Sequence, residues 1–240
     1  FYKKDMNNNE SLKIFFKNTL QVLSNNLEYY PNGITYNHVI NDLKGLVMTS
    51  IILDEHDTTK IAFKLLINEL DQVLDSDGFL REGSSHYQLI FCKWICELQY
   101  FLKKSNNIEY EKILEPFLKR VISSTFFFFV FHKKSNHISI PLFGDVSPDF
   151  NVEWMISYFK KGSNNISNYG HKILDELNIK KSNSMVITSR HYSKIKNENW
   201  IVFVKHSENN GLYKPTHEHQ DFGSFVIYYK SNKLIVDIGR

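Results

Sequence analysis

Two histidines and a carboxylate alternate in Pro215-Thr216-His217-Glu218-His219-Gln220-Asp221-Phe222-Gly223-Ser224-Phe225. In an extended backbone side chains repeat every second residue, so His217, His219 and Asp221 are expected on one face. Imidazoles and a carboxylate gathered in this way can bind a metal ion or move protons. The stretch runs into Phe225-Val226-Ile227-Tyr228-Tyr229, whose aromatic and β-branched content reads as a strand, so the imidazoles are expected on a sheet. Three more polar clusters stand out: Asn37-His38, the segment from Arg81 to Tyr87, and Gly144-Asp145. Each has a plain structural alternative. Asn37 would make a helix N-cap, Tyr87 a core aromatic anchored by its hydroxyl, and Asp145 the closing residue of a turn.

The elements that must position these groups fall into two textures. Apolar residues recur every three to four positions from residue 10 to about 29, about 36 to 53, 58 to 74, 87 to 102 and 110 to 124, which predicts five amphipathic helices. Pro31-Asn32-Gly33 and Asp75-Ser76-Asp77-Gly78 separate helices with turn chemistry. A sixth helix is expected over 152–160, followed by a polar connector at 163–168. From Met185 onward the signals are of strands, at 185–188, 200–204, 225–229 and around 234–237. The fold class expected is α+β, with a helical domain over 1–180 and a sheet domain beginning at 181.

Composition narrows the class. The chain has 240 residues, 42% hydrophobic and 15% aromatic, which suits a folded protein with a substantial core. Its net charge is +3 and its lysines are scattered, giving no electrostatic reason to expect nucleic acid. The most apolar run, 125–131, is far short of the roughly 20 residues that span a bilayer, and reads as a buried helix end or strand. Cys92 and Cys96 share one helix face and are expected as reduced buried thiols. The opening Phe1-Tyr2-Lys3-Lys4-Asp5 lacks an initiator Met and a signal-peptide core, and the last residues sit at a strand exit, so a piece of a longer protein is expected.

In this order the clusters resemble the heparinase II/III family of polysaccharide lyases, especially its relatives associated with bacterial surface-polysaccharide loci. The resemblance runs over about 36–240. It rests on Tyr36-Asn37-His38, on Asp77-Gly78-Phe79-Leu80-Arg81-Glu82-Gly83-Ser84-Ser85-His86-Tyr87, on Pro141-Leu142-Phe143-Gly144-Asp145-Val146-Ser147-Pro148-Asp149, on the histidine stretch, and on Val236-Asp237-Ile238-Gly239-Arg240. It implies an incomplete α/α toroid followed by the start of an antiparallel β-sandwich. It also implies β-elimination on an acidic, uronate-containing polysaccharide, and a place in the periplasm or cell envelope. Asn37, helped by His38, would neutralise the substrate carboxylate; Tyr87 would act as acid and His217 as its partner or as base for one C5 epimer. Arg81, Glu82, His86 and Asp145 would bind substrate. A tyrosine at its ordinary pKa of about 10 needs nearby positive charge to work, and Arg81, His86 or His217 could supply it.

The resemblance further implies a structural zinc held by His219 and Asp237, a third ligand lying beyond Arg240, and leaves Asp221 as a carboxylate that orients its neighbours. If Ser231-Asn232 made a two-residue hairpin turn, Val226 would pair with Asp237 and put Asp237 on the face opposite His219. Shared ligation therefore predicts an odd loop or a bulge there. Two other readings remain open at this point. One is a non-catalytic relative that binds an acidic glycan; the other is a metal-dependent hydrolase using His217-x-His219 directly.

Overall fold

The computed structural model describes residues 9–29, 36–132, 138–147, 151–152, 185–206, 217–219 and 221–236. The expected helix over 152–160, the connector after it, the 180/181 boundary and Asp237 lie outside the described residues, apart from Asn151 and Val152. Among the described residues the fold is α+β, five helices and an antiparallel five-stranded sheet. The helices are α1 (Glu10–Asn25), α2 (Asn37–Ile52), α3 (His56–Val73), α4 (Ser85–Lys104) and α5 (Ile108–Phe127). The chain divides into two compact units, Phe1–Val73 with Glu97–Glu115, and Leu74–Cys96 with Pro116–Arg240.

In the first unit α2 and α3 pack through their apolar stripes. Val39, Ile40, Leu43 and Val47 of α2 and Ala62, Phe63, Leu66 and Leu70 of α3 are buried, the three-to-four spacing of a packed face. Ile61 lies one position off that face and is exposed. Thr59 donates to Ser50 across the pair at 2.9 Å. Helix α1 starts where the Asn9 side chain accepts the Leu12 N–H at 3.1 Å. Its expected apolar stripe contributes no buried residue in this structure, and Phe15 is 59% exposed.

In the second unit the apolar run 125–131 divides between the end of α5 and a strand, β1 (Val130–Phe131), paired with β2 (Ile138–Ser139). The main sheet runs in order β3 (Val186–Thr188), β4 (Tyr192–Lys196), β5 (Trp200–Lys205), β6 (Phe225–Tyr229) and β7 (Asn232–Ile235), every neighbour antiparallel. Strand β4 escapes the sequence pattern because its buried residues are Tyr192 and Lys194, and a lysine reads as solvent-facing. Alternation puts Tyr192, Lys194, Phe203, Lys205, Val226 and Tyr228 on the buried face. There Tyr192 packs against Phe79, Phe128 and Phe143, with ring centroids 5.5, 5.0 and 5.7 Å away. The Lys194 ammonium meets the Phe127 and Phe129 carbonyls at 2.8 and 3.0 Å, satisfying acceptors left open where α5 ends.

The hairpin joining β6 and β7 corrects the expected turn. Lys230 and Ser231, at φ +49° and +68°, form it, and Tyr229 pairs with Asn232. A bulge then shifts the register so that Ile227 faces Ile235. Asp237, which shared ligation with His219 would need on the same face, lies outside the described residues.

Candidate active site

The site is assembled from three segments of the second unit. The first leads into α4. Asp75 accepts the N–H groups of Asp77 and Phe79 on one carboxylate oxygen, at 2.9 and 2.8 Å, which shapes the turn. Gln88 holds that turn from α4, accepting the Leu80 N–H at 2.7 Å and donating to the Gly78 carbonyl and to Ser124. Ser84 caps the helix by accepting the Tyr87 N–H at 3.1 Å. Glu82 and His86 end up fully buried, with Tyr87 half-buried between them and the surface.

The second segment, around Asp145, is clamped to the first. The Ser85 hydroxyl donates to the Pro141 carbonyl at 2.8 Å and accepts the Phe143 N–H at 3.0 Å, while Ser84 donates to the Asp145 carbonyl at 2.6 Å. The third carries the histidines. The Asp145 N–H donates to the His217 carbonyl at 2.8 Å. Gly144, at φ +70°, is required here, because a Cβ would stand 2.4 Å from that carbonyl and 2.9 Å from the Gly83 oxygen. Gly83, at φ +71°, likewise leaves room for the Glu218 side chain, 2.7 Å from where its Cβ would be.

His217 is the centre of the cluster. Its ring stacks on Tyr87 with centroids 3.6 Å apart and planes 16° from parallel. Its Nδ1 lies 3.3 Å from Asp145 Oδ2 and its Nε2 3.5 Å from Glu82 Oε2. Carboxylates only accept, so the Nδ1 contact matches an imidazole N–H at that nitrogen, while Glu82 stands at ion-pair distance from Nε2. His219 turns to the same carboxylate, its Nε2 being 2.8 Å from Asp145 Oδ1.

These geometries alter several expectations. Residues 217–219 are not part of a strand, since the Asp221–Ser224 turn, with Gly223 at φ +78°, intervenes before β6 begins at Phe225. The two imidazoles nevertheless meet at one group, Asp145. His86 accepts the Ser147 N–H on Nδ1 at 3.3 Å, so that nitrogen carries no proton and the ring is neutral in this arrangement. Arg81 is half-buried with Nε donating to the Leu74 carbonyl at 3.2 Å. Of the three sources of positive charge weighed for Tyr87, His217 is the one stacked on its ring. Asp221 stands 2.6 Å from the Lys205 ammonium.

Asn37 and His38 belong to the first unit. Asn37 is the first residue of α2 and 2% exposed; the cap position is Tyr36, so Asn37 is not the N-cap. His38 is exposed, with Nδ1 2.7 Å from Glu28 Oε2.

Sequence reasoning did not single out Lys205, which underlies the site, or the pair Asp75–His191, 3.5 Å apart. Burial raises the Asp75 carboxyl and lowers the His191 imidazole from their ordinary values. Parity along β5 was the available signal for Lys205, because it falls on the face of Ile201 and Phe203.

Zinc was expected at His219 and Asp237. Among the described residues no group of three His, Cys, Asp or Glu side chains stands together so as to hold a metal, and the His219 Nε2 is engaged by Asp145. The described residues therefore do not form that site by themselves, and no step of the chemistry below passes through a metal. Cys92 and Cys96 are buried thiols.

Comparison with solved structures places the architecture. The crystal structure of heparinase III superposes over 95% of this chain and 38% of its own, with a TM-score of 0.66 at 15% identity. The chain shares the heparinase III fold. The heparan sulfate lyase HepC from Pedobacter heparinus matches over 96% of this chain and 36% of its own, with a TM-score of 0.63 and 15% identity. This chain thus spans a little over a third of the length of the heparinase III and HepC structures. No protein-family model and no curated protein sequence matches it.

Proposed function

We propose that the chain carries the acid–base centre of a polysaccharide lyase that cleaves a uronate-containing glycan by β-elimination. The observation that carries this reading is the stack of Tyr87 on His217, with Glu82 and Asp145 at the two imidazole nitrogens. Structural likeness to a heparan sulfate lyase and to heparinase III supports the same reading.

The reaction removes the C5 proton α to a uronate carboxylate, forms the C4–C5 double bond and expels the sugar linked through O4. That proton is very weakly acidic, so the carboxylate charge must be neutralised while a base and an acid act on opposite ends of the breaking unit. A phenol is a poor base at neutral pH, and adjacent positive charge is what makes phenolate accessible. An imidazolium lying flat on the Tyr87 ring supplies it, and the two flanking carboxylates favour that imidazolium. Tyr87, as phenolate, takes the C5 proton and, now a phenol, returns it to O4 of the leaving sugar, while His217 acts as its charge partner. Neutralising the substrate carboxylate is the role that the family resemblance gives to Asn37, which belongs to the first unit.

Arg81 extends the cationic character of the site toward an acidic glycan. The envelope location follows from the same reading; among the described residues no helix is long and apolar enough to cross a membrane. The test is incubation of the protein with a panel of acidic polysaccharides while recording the ultraviolet absorbance of unsaturated uronate ends. Product is expected with at least one uronate polymer, and silence across the panel by protein carrying its full chain would overturn the reading.

A further inference from the structure

We propose that Lys205 is a positioning residue that holds the Tyr87–His217 pair in register; the proposal deepens the lyase reading and rests on it only where turnover is measured. Lys205 ends β5 and is 1% exposed. Its ammonium lies 2.6 Å from Asp221 Oδ1 and 3.2 Å from Glu218 Oε1, and donates to the Gly83 carbonyl at 3.2 Å. The Gly83 carbonyl accepts a hydrogen bond and the two carboxylates are ion-pair partners. At 1% exposure the residue is enclosed by these groups and acts through its neighbours.

Those neighbours are the two segments that bear the site. Glu218 follows His217 directly, and Gly83 follows Glu82, whose carboxylate faces His217 Nε2. The Lys205 main chain reinforces the link, its N–H donating to the Ser224 carbonyl and its carbonyl accepting the Gly223 N–H, at 2.9 and 2.8 Å. One buried side chain therefore ties the histidine segment to the loop that starts the Tyr87 helix. A buried charge paired this fully has a fixed geometry, and removing it leaves Glu218 and Asp221 facing each other uncompensated. Displacement of the segment by about 1 Å is enough to cost on the order of 100-fold in a reaction that depends on alignment.

The test uses Lys205→Met in protein carrying its full chain, with the imidazole proton resonances of His217 as a readout independent of turnover. Protons of a ring stacked on a phenol are shifted upfield, and Tyr87→Leu supplies the unstacked reference. In folded Lys205→Met the His217 resonances are expected to move to the positions seen in Tyr87→Leu, while kcat falls about 100-fold with KM within about threefold. A merely structural lysine would lower stability and leave both unchanged; stacked resonances and full turnover in the folded variant would overturn the proposal. If Lys205→Met does not fold, Asp221→Asn keeps the lysine and one oxygen acceptor, and is read the same way, with partial loss of the upfield shift expected and an unchanged spectrum contradicting it. Absence of turnover in the parent protein would count against the lyase reading alone, because the resonances still decide the positioning role.

Discussion

Tyr87 and His217 lie face to face, their ring centroids 3.6 Å apart and their planes 16° from parallel. The contact brings together residues 130 positions apart in sequence, and its purpose is electrical as much as steric. A carboxylate at each imidazole nitrogen favours positive charge on the ring, and that charge faces the phenol whose ionisation the reaction needs.

Replacing His217 by Phe keeps an aromatic ring against Tyr87 and removes the charge. Turnover is expected to fall by about 10²- to 10⁴-fold, and the optimum of any residual activity to move to higher pH, with glycan affinity little changed. Steady-state rates across pH, paired with calorimetric binding, check this. Residual activity with an unmoved optimum would mean that His217 charge is not what activates Tyr87.

Two glycines with similar φ angles separate conformational strain from collision. Gly223, at φ +78°, has nothing within 4 Å of a built Cβ, whereas at Gly144 a Cβ would strike the His217 carbonyl at 2.4 Å. Gly223→Ala is expected to cost about 1–3 kcal/mol in urea unfolding through strain alone. Gly144→Ala should cost more and also reduce turnover, since the bond from Asp145 N–H to His217 must open.

Lys194 should leave a mark on the pH dependence of stability. Burial pushes its ammonium down from 10.5 to about 8. Between those values the unfolded chain holds a proton that the folded protein has lost, so this group makes stability rise with pH, by at most about 1.4 kcal/mol per pH unit. Below about pH 8 both states are protonated and its contribution is flat. Tyr192 and Tyr228, whose phenols burial pushes above 10.0, work in the opposite direction at higher pH. The difference in unfolding free energy between wild type and Lys194→Met, measured from pH 7 to 10, isolates the rise; a difference independent of pH would contradict it.

Much of the helical layer was legible because burial of one face every three to four residues writes itself into the spacing of Val39, Ile40, Leu43 and Val47. The segments around Tyr87, Asp145 and His217 stood out as polar clusters, each with a plain structural alternative, and the family resemblance is what grouped them; the structure brings the three residues together. What the spacing could not reveal is tertiary. Strand β4 was hidden because Lys194 is buried only by virtue of the carbonyls that α5 presents to it. Lys205 falls just past the strand expected at 200–204, and its burial depends on Glu218, Asp221 and Gly83 from other segments. The alternation of His217 and His219 suggested a strand, yet Gly223 turns the chain before β6, and their common partner is Asp145 from a distant loop.

The central claim is that Tyr87 exchanges a proton with a uronate-containing glycan. It is tested most directly by comparing wild type with Tyr87→Phe on an acidic polysaccharide that wild type cleaves, following unsaturated ends by ultraviolet absorbance and affinity by calorimetry. The account predicts turnover reduced by about 10²-fold or more with affinity within a few-fold and the fold intact. A Tyr87→Phe variant that produces unsaturated ends at the wild-type rate would contradict it.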